Sequence, residues 1–159
     1  MKGAIIDKSE NGIIRLRALF DKMKGFQKEY NWLISDCEAY SINDEIKCKL
    51  HQYGEYTWLT GEELTDIINR DDLSWIWSVF SGFEKNITLE EVLNYDLPYA
   101  NGYFGFWNEN VSIQHPLATT ELEAWDGLNT LFISKDDLLV EEFRKAFPLS
   151  LDLHQYNIS

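Results

Sequence analysis

Two glycine pairs set the first constraint on this chain. Asn101-Gly102 lies within "LPYANGYFGFW" and Asp126-Gly127 within "LEAWDGLNTLFI", each between apolar runs. Such pairs are the strongest short-range signal for a two-residue β-hairpin, because both central residues of a type I′ turn need positive φ. In the first hairpin the register sets Ala100 opposite Tyr103 and Tyr99 opposite Phe104. A further turn at "NEN" leads into "VSIQH", which reads as a strand ending at His115. Consecutive hairpins imply an antiparallel meander rather than a doubly wound parallel sheet.

The N-terminal half adds strands and helices to that meander. "KGAII", "YNWLI" and "EYTWL" read as strands, the second ending at Ser35-Asp36. "LSWIWSVF" is rich in aromatic and β-branched residues on both faces, as in a central strand covered on both sides. In "NGIIRLRALFDKMKG", Ile13, Leu16, Phe20 and Met23 recur at helical spacing, with Arg15, Arg17, Lys22 and Lys24 mostly off that stripe and Gly25 as the stop. Thr60 with Glu63, and Thr88 with Glu91, form capping boxes that open two more helices. Residues 37–54 read either as a short helix capped by Asn43, with Glu45 and Lys49 paired, or as an irregular excursion. Ser134 caps "KDDLLVEEFRKAF", whose Leu139, Phe143 and Ala146 or Phe147 share one side and which Pro148 ends. The expected fold is α+β, a largely antiparallel twisted sheet with a C-terminal β-meander, packed by three to four helices. Residues 1–159 are expected to form a single compact domain, since no Pro-, Gly- or Ser-rich linker divides them.

The charge narrows the partners. Residues 1–30 hold seven Lys or Arg against four Asp or Glu, while residues 31–159 hold seven against twenty-three, so the net −13 is concentrated in the larger part. A surface this acidic repels phosphates, which argues against nucleic acid and against anionic membranes and favours a basic protein or a cationic ligand. The start has no apolar run of signal-peptide length and no segment approaches a membrane span, so a cytoplasmic location is expected. Cys37 and Cys48 then read as free thiols.

Chemistry is harder to find. His51, His115 and His154 have no second ligand at metal spacing, so neither a metal nor a cofactor is expected. His115 reads as a satisfied strand-end histidine rather than a general base. Paired carboxylates such as Glu62-Glu63 and Glu90-Glu91 sit in first helical turns, where the helix dipole already explains them. "GYFGFW" lacks the features of a phosphate loop, and no nucleophile elbow is present, so the residues favour a non-enzyme without deciding it. What remains is the aromatic group of residues 95–107. Tyr95, Asp96, Tyr99 and Trp107 are its candidate partner- or ligand-binding residues, and no catalytic residue is assigned.

"YNWLISDCEAY", "WIWSVFSGF", "YDLPYANGYFGFW" and "LFISKDDLLVEEFRKAFPLSLDL" together resemble a small family of proteins from bacilli known only as a domain of unknown function. The resemblance implies a bacterial, cytoplasmic, single-domain protein and supplies no site residues. Two functional expectations follow from the residues themselves. One is a small acidic interaction protein, of the immunity or antitoxin kind, that binds a basic protein partner with aromatics as anchors. The other is a small-molecule site, enzymatic or not, that stacks a sugar-like ring in a cleft around residues 95–107. A domain whose aromatics are all core is the third possibility.

Overall fold

The computed structural model describes residues 2–7 and 15–159. Its seven strands are β1 (Lys2–Asp7), β2 (Asn31–Tyr40), β3 (Tyr56–Thr60), β4 (Ser74–Phe83), β5 (Thr120–Trp125), β6 (Asn129–Ser134) and β7 (Leu151–Asp152). They form one sheet in the order β3-β2-β4-β5-β6-β1-β7, every pairing antiparallel. Among the described residues there are six helices, α1 (Leu16–Lys22), α2 (Asp44–Leu50), α3 (Gly61–Arg70), α4 (Leu89–Val92), α5 (Asp137–Ala146) and α6 (Leu153–Ile158). The α+β class and antiparallel sheet expected from the hairpin signals are therefore present. The helices outnumber the expected three to four because residues 37–54 take their helical alternative as α2 and because α6 continues directly from β7. No helix among the described residues is long and apolar enough to cross a membrane.

Local chemistry explains most of the boundaries. Thr60 Oγ1 accepts from the Glu63 amide at 3.1 Å while Glu63 Oε1 accepts from the Thr60 amide at 3.1 Å, a closed capping box that starts α3. Thr88 and Glu91 repeat it at α4. Asn43 caps α2 by accepting from the Ile46 amide, which resolves residues 37–54 in favour of the helix, although Glu45 pairs with Arg70 at 3.2 Å instead of Lys49. α5 is capped by Asp136, two residues later than the expected Ser134, whose Oγ accepts from the Asp136 amide. Gly25, at φ +74°, follows α1 as expected; Ile13 lies outside the described residues.

The two glycine pairs behave differently. Asp126 and Gly127 both take positive φ, 52° and 62°, and turn β5 into β6 as a type I′ hairpin. The hairpin expected at Asn101-Gly102 does not form. The Tyr103 amide donates to Ala100 O at 3.0 Å, so the chain does turn there, but only Gly102 has positive φ, the type II pattern. A short 3₁₀ turn, Gly105–Trp107, follows in place of a strand, and "VSIQH" is not a strand either. The reason is competition for backbone donors. The amides of Tyr99, Ala100, Asn101 and Gln114 are all taken by side chains, so no ladder can be built from them.

β2 also departs from expectation. It continues past Ser35-Asp36 to Tyr40, through a register shift between Ser35 and Glu38 at which Asp36 adopts φ +49°.

The sheet is covered on both sides. On the helical face Ile6, Trp32, Ile34, Phe80, Leu122 and Phe132 pack under α1, α2, α3 and α5. Phe132 stacks on Phe143 of α5 with ring centroids 4.8 Å apart. On the opposite face Ile5, Leu33, Phe83, Leu131 and Ile133 are covered by α6 and by Val92, Phe106, Ile113 and Ala118 of the long connection between β4 and β5. Each large apolar side chain buried this way contributes about 1.5–3 kcal/mol. A connection of largely irregular backbone thus does on one face what helices do on the other, and it brings the aromatic stretch onto the sheet.

Candidate functional site

The connection between β4 and β5 needs anchors for its backbone, and the sheet supplies them. Ser35 Oγ donates to Pro98 O at 2.7 Å. Asp36 Oδ2 accepts from the amides of Ala100 and Asn101, both at 2.8 Å. Gln114 grips Tyr99 twice, its Oε1 accepting from the Tyr99 amide at 3.1 Å and its Nε2 donating to Tyr99 O at 2.9 Å. Residues 98–101 are thereby fastened by five hydrogen bonds to groups remote in sequence. The bulge in β2 is what turns Asp36 toward this task, and charge-assisted bonds of its kind are stronger than neutral ones.

Gln114 is itself held from below, since its amide donates to Glu121 Oε2 at 2.8 Å. Glu121 and Glu123 alternate with Leu122 on β5 and point to the face that the connection covers, where neither has any exposed surface. Their Cα atoms lie about two residue rises, roughly 6.6 Å, apart on one strand. Among the described residues, Glu121 Oε1 and both Glu123 oxygens meet no hydrogen-bond partner beyond one another, and Ser81 Oγ, cross-strand from Glu121, is likewise unpartnered. Burial pushes both carboxyls above the usual range, and for Glu123 the Glu121 charge adds to it. Two carboxylates in one dry interior cannot both ionise, so the pair retains a proton at neutral pH. Burial, and next the Glu121 charge, also raise the Tyr103 phenol.

His115 is buried and satisfied. Its Nδ1 accepts from the Leu117 amide at 3.1 Å, which assigns the proton to Nε2, donating to Val92 O at 2.9 Å. Burial holds it below the ordinary histidine range, as a neutral imidazole between the rings of Phe83 and Tyr95. This is the structural role expected of it, although in a loop and not at a strand end.

The aromatic stretch divides as a fastened loop should. Tyr95, Tyr99 and Phe104 are 43%, 48% and 73% exposed, whereas Phe106 is buried and Tyr103 and Trp107 are half-buried. The inner rings form a chain of edge contacts, Tyr103 to Phe106 to Trp125 to Trp107, which the exposed Tyr99 meets at its Tyr103 end. Of the four candidate residues, Trp107 belongs to this inner chain, while Tyr95, Asp96 and Tyr99 face outward. They do not share one cleft. Tyr99 lines a cavity of about 360 Å³ together with Leu97, Pro98, Asp36, Cys37, His51 and Glu55, and Tyr95, Asp96 and Trp107 lie outside it. Burial, then the Asp36 charge, pushes the Cys37 thiol in that cavity up to about 12, so it is no nucleophile at neutral pH. Cys37 and Cys48 are both free thiols. Among the described residues no three His, Cys, Asp or Glu side chains are grouped to hold a metal ion.

Sequence reasoning missed Asp36, Gln114, Glu121 and Glu123. "TELEAW" has the alternation of a strand with one wet face, which assigns its glutamates to water. Only the long connection, invisible in the periodicity, makes that face dry. No family model, curated protein or solved structure matches the chain.

Proposed function

We propose that the chain is a small acidic interaction module that binds a basic protein partner, in the manner of an immunity protein or antitoxin, in the bacterial cytoplasm that the family resemblance implies. The observation that carries this reading is the pre-organised aromatic surface. Tyr99 is exposed on a turn fixed by three hydrogen bonds to β2 and two to Gln114, with Tyr95 and Phe104 exposed on either side of it in sequence. Rigid aromatic anchors bind with little ordering cost and recur among interface hot spots. The charge around them suits a basic partner. Residues 87–119 carry Glu90, Glu91, Asp96 and Glu109 and no Lys or Arg. Discounting buried Glu121 and Glu123, residues 31–159 still hold twenty-one acidic residues against seven basic ones. A ring-stacking small-molecule site has less support, because its four candidate residues do not converge on one cavity.

The test is a pull-down from host lysate with the wild type and with Tyr99→Ala/Phe104→Ala. A basic protein retained at low salt, released at high salt and lost with the double variant is the expected result. Phe104 is exposed and Tyr99 half-exposed with one edge contact to Tyr103, so the changes cost no more than about 0.5 and about 1.5 kcal/mol and leave the fold intact. Equal retention by the double variant, or no partner at either salt concentration, refutes the reading.

A further inference from the structure

The cavity beside the β2 bulge has a lining that the fold alone does not require. Asp36 spends one carboxylate oxygen on the Ala100 and Asn101 amides, which leaves Oδ1 without a hydrogen bond among the described residues. Glu55, on the turn before β3, is exposed and makes no ion pair among the described residues. Both line the same cavity, where His51 is the basic side chain and no Lys or Arg is present among the described residues, and Leu97 and Pro98 supply an apolar wall. The half-exposed ring of Tyr99 completes it, held edge-on against Tyr103 at 5.3 Å. By contrast, the cavity of about 300 Å³ between α1 and α3 is lined by Arg17, Lys24 and Lys28.

We propose that this cavity receives a lysine or arginine side chain of the basic partner, its methylenes along Leu97 and Pro98 and its cationic head between Asp36, Glu55 and the Tyr99 ring. The inference rests on the acidic-module reading and names the group that the module recognises. The chemistry of the three walls matches the three parts of such a side chain. An aliphatic stem is buried on apolar surface while its head stays wet, a carboxylate with a free oxygen accepts from the ammonium or guanidinium, and an aromatic face attracts the cation. The cavity is open to solvent and larger than one side chain, so the head enters with part of its water. Asp36 joins the cavity to the aromatic turn, because the carboxylate that faces the ligand also fixes Ala100 and Asn101.

The experiment is an amide-resolved NMR titration of the whole ¹⁵N-labelled chain with Nα-acetyl-lysine methylamide and Nα-acetyl-arginine methylamide. The uncharged Nα-acetyl-citrulline methylamide and a polylysine peptide serve as controls. Expected are saturable shifts at Ser35, Asp36, Cys37, Gly54 and Tyr99 with a cationic probe and none with citrulline. Glu55→Gln and Tyr99→Ala should each weaken binding by about fivefold, the loss of roughly one exposed charge or cation–π contact. Both residues lie on the surface, so these variants test the cavity without unfolding the turn. Shifts that citrulline reproduces, or that scatter over the acidic surface without saturating, overturn the cavity. If polylysine binds in a salt-dependent way but perturbs other residues, the cavity falls and the acidic module stands. If neither cationic probes nor polylysine bind, both readings fall.

Discussion

Replacing Glu123 by Gln should make this protein more stable, and increasingly so as the pH rises. Glu123 has no exposed surface and, among the described residues, no hydrogen-bond partner other than the Glu121 carboxyl, and burial raises its own carboxyl well above the ordinary value of 4.5. The folded state therefore binds that proton more tightly than the unfolded state does. The resulting stability is fully present below about pH 4.5 and is lost as the pH climbs toward the folded value. Linkage fixes the slope at about 1.4 kcal/mol per pH unit for each carboxyl that is protonated when folded and ionised when unfolded. Between about pH 5 and about pH 8 one such group costs up to about 4 kcal/mol, and less if its folded value falls inside that window. Glu123→Gln keeps the shape, removes the titrating proton and relieves Glu121 of its like-charged neighbour. His115 acts in the opposite sense, since burial depresses it below 6.5 and its contribution is lost as the pH falls, but it is common to both proteins and cancels in the difference. Urea unfolding followed by tryptophan fluorescence should give two proteins close to one another near pH 5, with the lead of the variant growing toward pH 8 and never exceeding the linkage ceiling of about 4 kcal/mol. Parallel stability curves, or a variant weaker at the alkaline end, would refute the buried-acid argument.

Two further changes probe how the connection and α3 are seated. Asp36→Ala removes the acceptor of two amides and leaves alanine at φ +49°, so it should cost about 3 kcal/mol and speed hydrogen exchange at Ala100 and Asn101, while Asp36→Asn loses less. Gly61→Ala drives a Cβ into Gln27 O, a backbone atom that no rotamer change can move, so a fall of about 3 kcal/mol in the urea-derived stability is expected.

The fold was more legible in the sequence than the site, and the residues show why. Thr60 and Glu63 are three apart, so a capping box can be read from one turn of chain. Asp126-Gly127 is a complete turn signal for the same reason. Asn101-Gly102 offers the same kind of signal, yet the amides there go to Asp36, 64 and 65 residues away, and to Gln114, 15 residues away. Local pattern cannot register such competitors. The same blindness made Glu121 and Glu123 look solvated, since a strand's alternation tells which side a residue is on and says nothing of what covers that side. Tyr95, Asp96 and Tyr99 were legible as candidates because exposed aromatics in a Pro- and Gly-containing stretch suggest recognition, but Trp107 was drawn inward by Trp125 and Tyr156 from remote elements.

The place of β1 in the sheet has a kinetic consequence. Lys2 lies opposite Ser134, and Ala4 and Ile5 pair with Asp152 and Leu151 on the other side. A strand synthesised early thus has no sheet partner until more than a hundred residues have followed it. Contacts of such long sequence separation fold slowly, because the loop they close must be ordered before they reward it. Meanwhile "GAII" remains an apolar strand with both edges open, the kind of segment that associates with other chains. In a nascent chain, the interval before β6 and β7 appear is when this protein is most exposed to aggregation.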